Sequence, residues 1–156
     1  MIDINELIIP AARKGEIEVL QELVTQKADL NKRDDKGYTP LIIACYNNRY
    51  AAAKLLLDAG ADINAADSGG NTALMGVAFK GYVDIAKLLI AYGADVNMQH
   101  GNGGTALMFA VMFGRNELVE LLLNSGADKT IVEKNGYSAR DLAMQQGNEA
   151  ALKLLE

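Results

Sequence analysis

The stretch that decides the fold, residues 39–64, reads TPLIIACYNNRYAAAKLLLDAGADIN. Threonine followed by proline suits the start of a helix, because the hydroxyl accepts first-turn N–H groups and proline tolerates the first helical position. Asn48 and Gly60 suit the left-handed backbone that ends a helix. The stretch therefore predicts two short helices, over about 40–47 and 50–58, followed by a polar turn-rich finger.

The same pattern recurs every 33 residues along the chain. We call a set of positions 33 apart a column. Three columns hold eleven of the 15 glycines, and a fourth holds Thr39, Thr72, Thr105 and Ser138. The chain then divides into units 1–33, 34–66, 67–99, 100–132 and 133–156. A single helix pair cannot cover its own apolar side, so this period predicts a solenoid of stacked units.

Composition excludes several classes of protein. The net charge is −5, from 15 basic and 20 acidic residues, which disfavours nucleic acid as a partner. One cysteine and one histidine cannot build a disulfide framework or a typical zinc site. The longest apolar run, Ala106–Phe113, is far shorter than the roughly 18–20 residues that a membrane span needs. With an acidic start where a signal peptide would be basic, we predict a soluble cytoplasmic protein, and a mature periplasmic chain stays possible.

The recurring motifs resemble ankyrin repeats, and the resemblance covers essentially the whole chain. The motifs are TPL at 39–41, TAL at 72–74 and 105–107, GADIN at 60–64, GADVN at 93–97 and GADKT at 126–130. The resemblance implies an all-α repeat solenoid, each unit being a helix–turn–helix plus a hairpin-like finger. It implies one domain, 1–156, with three full repeats between an N-terminal cap (1–33) and a C-terminal cap (133–156). Small stand-alone proteins of this family are familiar in bacteria, and a monomer is expected.

Candidates for chemistry each have a structural alternative. Gly101–Ala106 matches a dinucleotide-binding pattern in letters, but its register places it in a finger rather than after a strand. Cys45 shares a column with Ala78 and Val111, which favours a small core residue over a nucleophile. His100 stands where other fingers begin with aspartate, so it is either a turn residue or a pH sensor. We predict no catalytic, cofactor or metal site.

Asparagines recur once per unit, at Asn31, Asn64 and Asn97. A residue that recurs in every unit is normally architectural, and we expect these amides to tie the finger backbone. The resemblance also permits hydroxylation of Asn64 or Asn97.

Aromatic residues give the strongest functional signal. In ankyrin repeats, as the resemblance implies, partners bind a concave face made of finger tips and the exposed ends of first helices. Six of the nine aromatic residues fall at such positions, as binding hot spots do. The candidate partner-binding residues are Tyr38, Tyr46, Asn47, Asn71, Phe79, Lys80, Tyr92, Asn102, Met112, Phe113 and Tyr137. The alternative is that Phe79, Met112 and Phe113 turn inward as core.

These observations predict a protein-binding module that acts by occupying a partner protein. A dedicated inhibitor, immunity factor or protector of one partner enzyme is the alternative, and a structural spacer is less favoured. An enzyme is disfavoured because nearly every titratable group belongs to a structural column. The basic residues Arg13, Lys14, Lys36, Lys80 and Lys134 fall on the same face, which favours a partner with acidic and apolar groups.

Overall fold

The structure is a computed structural model that describes residues 2–156. Within these residues the backbone forms a 3-10 helix at Ile4–Glu6 and ten α-helices. The α-helices are α1 (Ile8–Lys14), α2 (Ile17–Thr25), α3 (Pro40–Tyr46), α4 (Tyr50–Asp58), α5 (Ala73–Lys80), α6 (Val83–Ala91), α7 (Ala106–Met112), α8 (Asn116–Asn124), α9 (Ala139–Gln146) and α10 (Glu149–Leu154). The predicted all-α fold with one helix pair per repeat is confirmed.

The helix ends follow from the columns. The Thr39 hydroxyl accepts the Ile42 N–H at 3.2 Å, and the Thr105 hydroxyl accepts the Met108 N–H at 3.3 Å. Both threonines therefore cap first helices, as predicted. Asn48 has φ 58°, so it takes the left-handed turn between α3 and α4.

The chain divides into two compact units, one ending at Ala73 and the other beginning at Leu74. In the first unit α1 packs on α2 and α3, and α4 packs on α2 and α3. In the second, α7 packs on α8 and α9, and α10 packs on α8 and α9. Fully buried leucines lie at the centre of both units: Leu20, Leu41 and Leu56 in the first, Leu89, Leu107, Leu118 and Leu122 in the second. The assignment of all five repeats to one domain stays a prediction.

Each finger is held by the side chain at its first position. The Asp34 carboxylate accepts the N–H groups of Lys36 and Tyr38, both at 2.9 Å. Asp67 and Glu133 do the same for the second and fourth fingers. His100 replaces the carboxylate in the third finger with its ring nitrogen Nδ1. Isolated antiparallel bridges at Ala66–Thr72 and Val132–Ser138 give two of the fingers their hairpin character.

The asparagine column ties successive repeats together within each unit. Asn31 Oδ1 accepts the Asp62 N–H at 2.9 Å, and Asn97 Oδ1 accepts the Asp128 N–H at 2.8 Å. The predicted backbone role of these two amides is therefore confirmed. Asn5 makes the same bond to the Asp29 N–H at 2.7 Å. The sequence did not predict this role, because Asn5 lies outside the 33-residue register.

Candidate protein-binding surface

All eleven predicted binding residues reach the surface to some extent. Seven are exposed, namely Tyr46, Asn47, Tyr92, Asn102, Met112, Phe113 and Tyr137, and four are half-buried, namely Tyr38, Asn71, Phe79 and Lys80. Met112 is 39% exposed and Phe113 is 43% exposed, although both belong to an apolar segment. Met112 and Phe113 are therefore surface residues. Of the three residues for which a core position was the alternative, Phe79 is the one that is half-buried.

An aromatic pair marks the surface of the second unit. The rings of Phe79 and Phe113 meet edge to face, with centroids 4.5 Å apart and planes at 76°. Phe79 lies in α5 and Phe113 caps the C-terminus of α7, so the register of neighbouring repeats brings them together. Such pairs are favourable beyond the area they bury, which fixes the exposed Phe113 ring on its neighbour.

An arginine lies directly beside this pair. Arg115 Nε–H donates to the Phe79 carbonyl oxygen at 3.2 Å. Its side chain crosses Gly81, where a Cβ would come within 2.9 Å of Arg115 Cδ. Gly81 has φ 85°, and it provides both the turn and the space that the arginine occupies. The guanidinium is thus held in place by one of its nitrogens.

The first unit repeats this arrangement. Arg49 Nε–H donates to the Arg13 carbonyl oxygen at 3.1 Å, and a Cβ on Gly15 would lie 3.0 Å from Arg49 Cδ. Tyr46, three residues before Arg49, is 42% exposed. Both units therefore contain an arginine that is hydrogen-bonded to the preceding repeat, and an exposed large side chain, Tyr46 or Met112, lies three residues before it in the chain.

A cleft of about 670 Å³ lies in the first unit between the first finger and the first helices. Ile9 and Ile43 contribute apolar side chains from α1 and α3, and Tyr38 contributes its ring from the finger. Arg13 and Lys36 line the same cleft. The predicted residue Tyr38 therefore lines a cleft within one unit, with apolar, basic and acidic groups around it.

Some predicted polar residues have their amides engaged locally. Asn47 Nδ2 donates to the Ile43 carbonyl at 2.8 Å, which satisfies the end of α3. Asn71 Nδ2 donates to the Asp67 carboxylate at 3.3 Å inside the second finger. The backbone carbonyl of Asn102, rather than its side chain, accepts the Lys134 N–H at 2.8 Å, which joins the third and fourth fingers. These hydrogen bonds show how the three residues stabilise the fold, whereas their contact with a partner stays a prediction.

The predicted alternatives for chemistry can be compared with the structure. Cys45 is fully buried, and burial raises the pKa of its thiol to about 12. Its thiol is therefore neutral at physiological pH, as expected for a small core residue. Among residues 2–156, no group of three or more His, Cys, Asp or Glu side chains is arranged to hold a metal ion. Over the same residues, none of the helices has the length and apolar character that a bilayer crossing demands.

Arg49 and Arg115 lie at this candidate surface, and the sequence prediction did not include them. They occupy one column, whose other members are Glu16, Tyr82 and Asn148. The sequence shows that arginine recurs 66 residues apart. It does not show that each arginine donates a hydrogen bond to a backbone carbonyl of the preceding repeat. That bond depends on how two repeats stack, which no single repeat encodes.

Comparison with known proteins agrees with the repeat architecture. A family model described as ankyrin repeats (3 copies) matches residues 7–100 and, in an overlapping match, residues 74–156. Over 60 residues the chain is 43% identical to the palmitoyltransferase akr1 of Emericella nidulans and to that of Aspergillus oryzae. The matched stretch is 38% of this chain and only 8% of each of those proteins.

Proposed function

Because the chain belongs to the ankyrin repeat family, we propose that it binds a partner protein through the ends of its first helices and the tips of its fingers. Repeats of this family generally mediate protein–protein interaction. The observation that carries the proposal is the edge-to-face pair of the half-buried Phe79 and the exposed Phe113, with Met112 also exposed. Exposed aromatic and methionine side chains in rigid positions are the usual anchors of a protein interface.

Rigidity supports the same function. The finger tips are held by side-chain acceptors at their first positions, and the first helices are capped by threonine and serine. A surface that is already ordered loses little conformational freedom when a partner binds. Within this function, the finer proposal is that the chain inhibits, neutralises or protects one partner enzyme; a structural spacer is the alternative.

The palmitoyltransferase relatives do not lead us to propose acyl transfer. Their similarity to this chain is confined to 60 residues, a small part of their own length. Such a short match favours a shared repeat segment, and we propose no catalytic activity for this chain.

The test compares the partner protein that is captured by the immobilised wild type with that captured by the immobilised double variant Phe79→Ala/Phe113→Ala. The matched control is Tyr50→Ala, which removes a ring that is 44% exposed at the start of α4, a second helix. We expect all three proteins to be folded by circular dichroism. We also expect the same captured protein on the wild type and the control, and none on the double variant.

Equal capture by the double variant would contradict the proposal. Phe79 is half-buried, so Phe113→Ala alone serves as a second variant if the double variant melts early. Unfolding of Phe113→Ala would assign this ring to the core instead.

A further inference from the structure

Over all repeats taken together, the two kinds of helix differ in charge. The first helices (α1, α3, α5, α7 and α9) contain four basic residues and one acidic residue, Asp141. The Asp141 carboxylate is bonded to Ser138 in a capping box. The second helices (α2, α4, α6, α8 and α10) contain three basic and seven acidic residues. The first helices taken together are therefore basic, although the chain as a whole is acidic and the fingers carry Asp34, Asp35, Asp67 and Glu133.

The two positioned arginines give this charge a specific geometry. In Arg49 and Arg115 the Nε–H is bonded to a backbone carbonyl, which leaves the terminal Nη groups to bind elsewhere. The ion pairs of the described residues include Lys32–Glu6 and Lys54–Asp58, and neither of these involves Arg49 or Arg115. An arginine held by one nitrogen and unpaired at the others is prepared to bind a carboxylate in a bidentate manner.

From this geometry we propose that the partner binds with a segment in which carboxylates alternate with large apolar side chains. The proposal rests on the function proposed above and defines the partner's chemistry. Each unit is a site by itself. In the first unit Arg49 binds a carboxylate of such a segment, whose apolar side chains pack on Tyr46. In the second unit Arg115 binds the carboxylate, and the apolar side chains pack on Phe79 and Phe113.

The cleft of the first unit has the same combination of groups. Ile9, Ile43 and Tyr38 provide apolar contacts, Arg13, Arg33 and Lys36 provide positive charge, and Asp34 and Asp35 provide negative charge at the finger. Lys32 also lines the cleft but is already paired with Glu6 at 3.3 Å. By contrast, the cleft of about 820 Å³ between α2 and α4 contains Lys54 and Asp58, which pair with each other at 2.9 Å. The one cation that the described residues contribute to the second cleft is therefore already paired, which disfavours that cleft for an acidic segment.

A nucleic acid is the competing source of negative charge. The chain carries a net charge of −5, and the acidic second helices would repel a phosphate backbone that extends past the arginines. A protein segment is favoured because it delivers carboxylates and apolar side chains together. An oligonucleotide is therefore included in the experiment as a competing probe.

The experiment is selection from a random 12-residue peptide library on the immobilised wild-type chain. We expect the enriched peptides to contain Asp or Glu next to Phe, Leu, Tyr or Trp. The best peptide is then labelled, and its Kd is measured by fluorescence anisotropy for wild type, Arg49→Gln/Arg115→Gln and Lys54→Gln/Lys87→Gln. The last variant is the matched control, because it removes two positive charges from second helices.

We expect Arg49→Gln/Arg115→Gln to bind at least about tenfold more weakly, since each charged hydrogen bond contributes substantially. The lysine control should bind as the wild type does. Replacing the peptide's acidic residues by amides should weaken wild-type binding and leave the arginine variant unaffected. A 20-nucleotide single-stranded DNA should bind far more weakly than the peptide.

Three results would overturn the inference: enriched peptides without an acidic excess, equal losses in the arginine and lysine variants, or tighter binding of the DNA. Phe79→Ala/Phe113→Ala separates this failure from failure of the proposed function. If the wild type selects peptides that lack acidic residues and this variant no longer binds them, the surface binds protein segments but the proposed preference for carboxylates is wrong. If no peptide is enriched, or the aromatic variant retains all of them, both proposals fail.

Discussion

The imidazole of His100 accepts the Gly104 N–H on its Nδ1 at 3.0 Å, and it lies over the glycine that makes this contact possible. A Cβ on Gly104 would come within 2.9 Å of His100 Cε1. Nδ1 also accepts the Asn102 N–H at 3.2 Å. In the other fingers the same two bonds go to a carboxylate. In the third finger the ring nitrogen Nδ1 thus serves as the acceptor that a carboxylate oxygen provides in the other fingers.

Substitution of His100 tests this acceptor role. His100→Ala leaves two finger N–H groups without their partner, and we expect a loss of about 1 kcal/mol in the free energy of unfolding. His100→Asp restores the acceptor of the other fingers and should be close to wild type in urea denaturation at pH 7. The ¹⁵N chemical shifts of the wild-type ring should report the Nε2–H tautomer. Equal stability of the Ala and Asp variants would contradict the role.

The pairing of His100 with Gly104 predicts a non-additive effect. Tyrosine stands at the Gly104 register in the first and last fingers, as Tyr38 and Tyr137. Gly104→Tyr should destabilise the wild type because its side chain needs the space of the imidazole, which is also fixed edge to face on Phe109 at 5.2 Å. In a His100→Asp background the same change should be tolerated. A double-mutant cycle should give a coupling of about 1 kcal/mol, whereas additive effects would show that the two residues act independently.

His100 and Gly104 also show how much of the structure can be predicted from the sequence. The 33-residue register predicted the helix pairs, the threonine caps and the left-handed Asn48, because each depends on a few neighbouring residues that recur. It also placed His100 at the head of a finger. It did not predict the Nδ1 bonds, which depend on the ring's rotamer, or the hydrogen bonds of Arg49 and Arg115, which depend on stacking between repeats. Exposure of Phe113 followed from its position at the end of α7, whereas its contact with Phe79 needed the structure.

The capping box of α9 predicts a dependence of stability on pH. The Ser138 N–H, and secondly the Ser138 hydroxyl, lower the pKa of Asp141 below its usual value of about 3.9. A lowered pKa in the folded state means that the box stabilises the protein above that usual value and is lost as the pH falls through the folded pKa. The stability difference between wild type and Asp141→Asn should therefore be constant from pH 7 to 5 and change below about pH 4. A difference that does not vary with pH would contradict this account.

Burial of Cys45 predicts that its reaction with alkylating reagents requires opening of the first unit. Its side chain is fully buried and its pKa is raised to about 12, so the thiolate is scarce and inaccessible. In native conditions iodoacetamide should label Cys45 slowly, and urea at the unfolding midpoint should accelerate labelling strongly. Cys45→Ala/Asn124→Cys, with its thiol on the exposed end of α8, is the control and should react at once. Rapid native labelling of Cys45 would indicate that this part of the core opens readily.

Gly81 has two roles, to leave space for Arg115 and to make a turn, and their effects can be measured separately. Gly81 and Gly114 share a column and both have positive φ, 85° and 69°, but a Cβ would meet Arg115 only at Gly81. Alanine at either position should therefore cost about 1–2 kcal/mol in backbone strain. Only Gly81→Ala should also displace the arginine and break its bond to the Phe79 carbonyl, because the Cβ lies within 3.0 Å of Nε. The Arg115 Nε–H resonance should then lose its protection from exchange in Gly81→Ala and keep it in Gly114→Ala. If protection is lost in both variants, the bond depends on the turn as a whole, and the space above Gly81 is not what positions the arginine.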